Sequence, residues 1–186
     1  MASTHFSPDG SARMVDVSEK SVTRRVAKAT AIVAMSHAAV RQIQDASAKK
    51  GDVLGIARIA GINATKWTAM LIPLCHAIPI EQATIDFSWI KPAEGGPSHV
   101  SPSSEAISVQ SQHLSGGAED GPEMLKITAL TTTTGKTGVE MEAYTAACVA
   151  ALTVVDMLKS VDRSIEVRNI QLDHKSGGQS GSFQRS

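Results

Sequence analysis

MEAYTAACVAALTVVDMLKSV, residues 141–161, carries the most regular apolar pattern in the chain. Apolar residues recur there at steps of three and four: Ala143, Ala147, Ala150, Val154, Leu158 and Val161. This spacing places them on one face of a helix. We therefore predict an amphipathic helix over residues 141–161 whose apolar face is buried in the core.

The segments before this helix show extended and helical patterns in turn. Residues 30–35 form a short apolar run that is typical of a strand. Ser36 can cap a helix that we expect to run to about Lys49. A second helical pattern covers residues 52–61, and a third, short helix is expected over residues 64–71, before a proline.

Two further segments have the pattern of paired strands. Residues 83–89 (ATIDFSW) and 125–129 (LKITA) alternate, as in strands with one buried face. Between them, 16 of the 31 residues at 92–122 are Gly, Pro or Ser, which predicts a low-complexity insertion between antiparallel strands. A last strand is expected over residues 165–172. This order indicates a single α+β domain, with helices covering an antiparallel sheet.

Charge and composition argue against several classes of partner. Eighteen Lys and Arg balance eighteen Asp and Glu, and 3% of residues are aromatic, so we expect neither nucleic acid nor a membrane as a partner. Two cysteines make neither a disulfide framework nor a zinc motif. We predict a soluble, cytoplasmic protein without a resident metal. It would have a flexible arm (residues 1–13), one domain (residues 14–183) and a tail (residues 184–186).

The segment TTGKTG, residues 133–138, has some features of a phosphate-binding loop. A Walker A loop needs a glycine five residues before Gly135, and Leu130 occupies that position. This spacing argues against a phosphate-loop NTPase. The turn can still offer backbone N–H groups and the Lys136 ammonium to an anion as it enters a helix. An ordinary strand-to-helix turn is the alternative.

Three acidic residues of the long helix allow both a structural and a functional interpretation. Glu140 and Glu142 lie at its start, where the helix dipole favours acids, and they point to one side only if this segment is extended. Asp156 is the only charged residue in the run 146–158, and Lys159 is its neighbour on the helix surface. An acid in so apolar a run favours a functional role.

Three other motifs contain groups that could bind or react. Leu74-Cys75-His76 follows a helix end, where a lone Cys-His pair is usually structural. Lys50 lies near a helix C-terminus, where the dipole favours cations. Lys175 begins a Gly/Ser-rich segment that is either a disordered tail or a wrap around a phosphate group.

Seven short motifs follow one another in a distinctive order along the chain. They are MVDV (14–17), KGDV (50–53), ARIAG (57–61), LIPLCH (71–76), TGKTGVEMEA (134–143), AALT with DM (150–157) and KSGG (175–178). Together they resemble the cyclic pyranopterin monophosphate synthase (MoaC) family over residues 14–183, apart from the insertion. Chance agreement of seven motifs in order is not expected.

This resemblance implies a ferredoxin-like α+β subunit that assembles into a hexamer of three dimers, with active sites between subunits. It also implies a lyase reaction in molybdenum cofactor biosynthesis. A carbon-bridged cyclic dihydro-GTP is rearranged into cyclic pyranopterin monophosphate, and pyrophosphate is lost. No redox cofactor is implied, and a requirement for magnesium with the triphosphate stays open.

The resemblance also implies roles for individual residues. Lys50 and Lys159 are the acid/base lysines, and Asp156 is a catalytic acid beside Lys159. A second set binds substrate: Leu74, Cys75, His76, Glu140, Met141, Glu142 and Lys175. Lysines suit this chemistry because ring opening and closure move protons at specific heteroatoms, and clustered cations make a lysine easier to deprotonate.

Three positions depart from the family pattern. Trp67 and Gln179 stand where basic residues are common, and Ala77 stands where proline is usual. Each departure loosens a detail of the expected phosphate side of the site. The alternative function is that of a non-catalytic ferredoxin-like module that binds a nucleotide or another small anion.

Overall fold

The helices and strands of the chain were located in a computed structural model that describes residues 9–90 and 121–186. In these ranges their order is β1 (Thr23–Met35), α1 (His37–Gln44), α2 (Val53–Thr65), α3 (Thr68–Leu71), β2 (Gln82–Ile90), β3 (Glu123–Gly135), α4 (Glu140–Leu158), β4 (Glu166–Ser176) and β5 (Phe183–Gln184). Nearly all of the predicted insertion at residues 92–122 falls outside the described residues.

The strands form one antiparallel sheet in the order β2-β3-β1-β4-β5. β1 lies in the centre and pairs with both β3 and β4. β2 pairs with β3 as far as Ile90 and Met124, close to the two ends of the insertion. The α+β, ferredoxin-like prediction is therefore confirmed, and so is the antiparallel pairing of the strands that flank the insertion.

The helices pack on one face of this sheet. On β1, the inward residues Ala27, Ala29, Ala31 and Val33 have no exposed surface. Most of the predicted apolar face of α4 is fully buried as well: Ala143, Ala147, Ala150, Val154 and Leu158. Small residues at these positions let the helix approach the sheet closely.

In the described part of the chain, α4 is the only helix long and apolar enough to cross a membrane by length and composition. More than half of it is buried within the protein. Its apolar composition is therefore that of a core helix, which packs against α2 and the sheet.

The helix starts agree with the sequence better than the helix ends do. Ser36 and Asp52 cap α1 and α2, as their side chains predict. α1 ends five residues before the expected Lys49, because Ala46 adopts a left-handed φ of 49° soon after the helix. α2 continues beyond Gly61, which lies in close contact with α4.

The C-terminal segment folds back onto the sheet. β4 continues to Ser176, four residues beyond the predicted strand, and β5 pairs with it. Gly177 and Gly178 turn the chain with φ values of 97° and 78°, which glycine adopts without strain. The segment is therefore not a disordered tail, and a wrap around a phosphate group stays a prediction.

Candidate active site

The predicted site residues lie mainly at the two ends of α4. Glu140 and Glu142 are in its first turn, where they border a cavity that we call the acidic cavity. Asp156 is in its last turn and contacts Lys50 and Lys159, a group that we call the lysine cluster. Fourteen residues separate Glu142 from Asp156, which is about 21 Å along a helix. A single chain therefore does not bring the two groups together.

The acidic cavity joins two sequence motifs that are far apart in the chain. It has a volume of about 320 Å³. The motif at 74–76 approaches it from a turn after α3, which is closed by a hydrogen bond from the Cys75 N–H to the Ile72 carbonyl (3.1 Å). The lining residues are Val15, Val17, Lys20, Leu74, Cys75, His76, Thr137, Gly138, Glu140, Met141 and Glu142.

Glu142 is a buried carboxyl in this cavity, with 4% of the residue exposed. Burial raises the pKa of Glu142 to about 7, and the Glu140 carboxylate adds to the rise. Burial also raises the pKa of the Cys75 thiol, and the charge of Glu142 is the second cause. Near neutral pH the Glu142 carboxyl can therefore either donate or accept a proton.

The two glutamates meet in the cavity although both are helical. We expected them to converge only in an extended segment, and that expectation is wrong because α4 begins at Glu140. Both nevertheless line the acidic cavity. Two faces of the first turn of α4 therefore border the acidic cavity.

A second cavity of about 450 Å³ adjoins the first and shares Lys20 with it. We call it the cationic cavity, because Lys20, Arg25 and Lys136 line it. Arg25 is only 8% exposed, and its guanidinium donates to the carbonyl oxygens of Gly135 (3.4 Å) and Lys136 (3.3 Å). Gly178 has a φ of 78°, which favours glycine, and a Cβ there would also displace that guanidinium.

Sequence reasoning missed Lys20 and Arg25 as candidates for the site. A signal for Arg25 was present, because it alternates in register with Ala27 and Ala29 on the buried face of β1. An arginine on such a face needs partners or a ligand. Lys20 has no comparable pattern around it.

Lys175 lies beside the cationic cavity, and the place in the substrate pocket that the resemblance implies for it stays a prediction. Its Nζ is 3.1 Å from Glu140 Oε1 and donates to Ser180 Oγ at 3.1 Å. Glu140 and Ser180 both line the cationic cavity. Gln179, one of the departures from the family pattern, lines it too.

The lysine cluster is held together by one carboxylate. Lys50 Nζ is 2.6 Å from Asp156 Oδ2 and also donates to the Asp156 carbonyl at 2.9 Å. Lys159 Nζ is 2.6 Å from Asp156 Oδ1. Hydrogen bonds from Lys159 and then from Lys50 lower the pKa of Asp156 to about 2. At neutral pH this geometry favours an ionised Asp156 that binds two ammonium groups. It does not favour the protonated Asp156 that a catalytic acid, the role implied by the resemblance, would require.

Within residues 9–90 and 121–186, no group of three or more His, Cys, Asp or Glu side chains is placed to hold a metal ion. Cys75 and Cys148 are both free thiols. The absence of a resident metal or cofactor stays a prediction. Whether magnesium is required with the triphosphate stays open.

A model of the MoaC family matches residues 14–178 of the chain. The chain belongs to the MoaC family. A protein from Rhodopirellula baltica named cyclic pyranopterin monophosphate synthase is 47% identical over 183 residues, 98% of this chain and 93% of the relative. One named cyclic pyranopterin monophosphate synthase 1 from Mycobacterium tuberculosis is 47% identical over 186 residues, 100% of this chain and 92% of the relative. A synthase from Staphylococcus haemolyticus is 40% identical over 182 residues, 98% of each chain.

The MoaC match includes all the predicted site residues and the cationic cavity except Gln179 and Ser180. It ends at residue 178, in the glycine turn that packs against Arg25. The family resemblance drawn from the seven motifs is confirmed. The roles of individual residues in this MoaC-family chain stay predictions, which the geometry above now makes specific.

Proposed function

We propose that the chain is a lyase of molybdenum cofactor biosynthesis. It converts a carbon-bridged cyclic dihydro-GTP into cyclic pyranopterin monophosphate and pyrophosphate. The observation that carries this proposal is 47% identity over 98% of the chain to a protein named cyclic pyranopterin monophosphate synthase. The geometry supports it, because the chain has a titratable carboxyl, two lysines and a cationic cavity. Proton transfers and a triphosphate require such groups.

The two adjoining cavities suit the two halves of this substrate. The heterocycle fits the acidic cavity, where Glu142 and His76 offer hydrogen-bonding groups to its ring nitrogens and oxygens. The triphosphate fits the cationic cavity, where Lys20, Arg25 and Lys136 offer positive charge. The planar guanidinium of Arg25 can donate two parallel hydrogen bonds to phosphate oxygens.

The lysine cluster supplies the acid/base groups in this proposal. Lys50 and Lys159 each lie 2.6 Å from Asp156, which orients both ammonium groups. In this proposal the two lysines donate and accept the protons that the rearrangement moves. The side chains are 45–62% exposed in the single chain, so a ligand can approach them.

The complete site requires two copies of the chain in this proposal, because about 21 Å separates the groups within one copy. Two antiparallel copies of α4 would bring one chain's Glu142 near the other chain's Lys159. An apolar groove of about 530 Å³ along α4 supports this arrangement, since such grooves favour burial in an interface. It is lined by Leu71, Ile72, Met141, Tyr144, Thr145, Cys148, Val149, Leu152 and Ile170.

We extend the proposal to a hexamer of three dimers that works in the cytoplasm. α2 and α3 carry a second group of exposed apolar side chains, which includes Ile59 and Met70. This group supports more than one kind of interface between subunits. The two free thiols suit a reducing compartment. Light scattering of the purified protein measures the size of the assembly.

Incubation with the cyclic dihydro-GTP tests the reaction, with pterin and pyrophosphate measured separately and magnesium present or absent. We expect equal amounts of the two products, and far less of both from Asp156→Asn. A folded protein that binds this substrate without releasing pyrophosphate would be the non-catalytic anion-binding module. That result would replace the lyase proposal.

A further inference from the structure

Lys175 points toward the helices only because β4 is irregular. On β1, Ala27 and Ala29 both face the helices, and their partners on β4 are Lys175 and Leu172. Residues three apart in a regular strand point to opposite faces of the sheet. One extra residue, Asp173, forms a β-bulge between these two pairs. The bulge lets both side chains point to the helix-covered face.

Tyr144, the only tyrosine of the chain, contacts this bulge from the helix side. Its hydroxyl accepts a hydrogen bond from the Leu172 N–H at 2.9 Å, and its ring packs against the core. Asp173, the bulge residue, accepts a hydrogen bond from Thr30 Oγ1 at 3.1 Å. The irregular part of β4 is therefore tied to both α4 and β1.

We propose that Tyr144 is a positioning residue whose hydroxyl fixes the bulge that turns Lys175 toward Glu140 and the cationic cavity. Tyr144 lies four residues after Glu140 and so shares its side of α4. Lys175 Nζ is 3.1 Å from Glu140 Oε1. If the bulge were lost, the register would slip by one residue and Lys175 would point to the opposite face of the sheet.

Tyr144→Phe tests this role, because it removes one oxygen and keeps the ring. The measurement is trace acylation of lysines in the intact assembly, quantified by peptide mass spectrometry against exposed Lys66. We expect Lys175 to become roughly tenfold more reactive once the Leu172 N–H loses its acceptor. Unchanged reactivity of Lys175 in a folded Tyr144→Phe protein overturns the proposal.

Thr153→Val is the matched control, since it also removes a hydroxyl from α4. That hydroxyl donates within the helix, to the Val149 carbonyl at 2.7 Å, and does not involve β4. We expect the reactivity of Lys175 to stay at the wild-type level in this variant. An increase equal to that of Tyr144→Phe would mean that any lost hydroxyl on α4 releases the lysine, which also overturns the proposal.

Turnover extends the test, and this arm rests on the proposed function. Tyr144→Phe should lower kcat/KM about tenfold in the wild-type background and leave it unchanged in the Lys175→Ala background. An equal loss in both backgrounds would show that Tyr144 does not act through Lys175. Absence of product from the wild-type protein would contradict the proposed function alone, because the acylation result still decides the role of Tyr144.

Discussion

The two ends of α4 carry carboxyl groups whose pKa values shift in opposite directions. Glu142, in the first turn, is 4% exposed and has a pKa of about 7. Asp156, in the last turn, has a side chain 54% exposed and a pKa of about 2. The helix dipole alone would favour a negative charge at the first site and disfavour it at the second. Local burial and local partners therefore outweigh the dipole at both ends.

This difference separates two kinds of chemistry within one helix. Glu142 has lost most of its contact with solvent and lies near another acid, so its charge is easily removed. Asp156 keeps its solvent and contacts two ammonium groups, so its charge is retained while the lysines carry the protons. A reaction that needs both a neutral-pH carboxyl and acid/base lysines would use both ends of α4, and hence two copies of the chain.

The largest effect is expected from breaking the lysine cluster. Lys159→Ala and Asp156→Asn should fold normally, because these side chains are more than half exposed. Product formation should fall by about 10²–10⁴-fold, as for a lost acid/base group. Arg163→Ala is the control, since it removes an exposed cation four residues further along. Undiminished turnover in either cluster variant would contradict the assignment.

Mixing two inactive variants tests whether the two ends cooperate across chains. Glu142→Ala and Lys159→Ala chains, refolded together in equal amounts, should recover about a quarter of wild-type activity. Each site takes one end from each chain, so both ends are intact in about one site in four. Mass spectrometry of the mixture checks that mixed oligomers form. If they form and activity stays near zero, each site is built within one chain.

The long helix and the helix caps could be predicted because their signals are local. The apolar face of α4 is a repeat within 21 residues, and Ser36 and Asp52 each lie directly before the helix that they cap. The predicted end of α1, at about Lys49, is too late. A left-handed turn follows the helix at Ala46, where no glycine indicates such a turn in the sequence.

The cavities could not be derived from such local signals. Arg25 reaches the cationic cavity through pairing of β1 with β3, which is more than 100 residues away in sequence. The bulge at Asp173 depends on strand register, which short patterns do not specify. Only the family resemblance grouped the motif at 74–76 with Glu140 and Glu142, and the geometry of the acidic cavity agrees with that grouping.

Protonation of the acidic end should appear as a pH dependence of stability. The pKa of Glu142 is raised from 4.5 to about 7, so its contribution to stability is present below pH 4.5 and is lost as the pH rises through 7. Glu142→Gln lacks this loss. Relative to wild type, the free energy of unfolding of Glu142→Gln should therefore rise by roughly 2 kcal/mol between pH 4 and pH 8. The full pKa shift would give a larger rise, but solvent that reaches the cavity weakens the effect.

Urea unfolding at constant protein concentration measures this difference at each pH. The comparison at pH 4 is the internal control, because the wild-type carboxyl is then neutral and resembles the amide in charge. A difference between the two proteins that does not change with pH would mean that Glu142 does not titrate in this range. The contrast between the two ends of α4 would then rest on Asp156 alone.

The smallest effect is expected from adding a cation beside the acidic end. Gln179 is exposed and lines the cationic cavity with Lys20, Arg25 and Lys136. Gln179→Lys should lower KM about threefold at low salt, because an exposed charge adds at most about 1 kcal/mol. The gain should shrink at high salt. kcat should not change, since the lysine cluster is untouched.

Gln184→Lys is the control, because it makes the same charge change in β5. A fall in KM as large as that of Gln179→Lys would point to net charge rather than to the cavity.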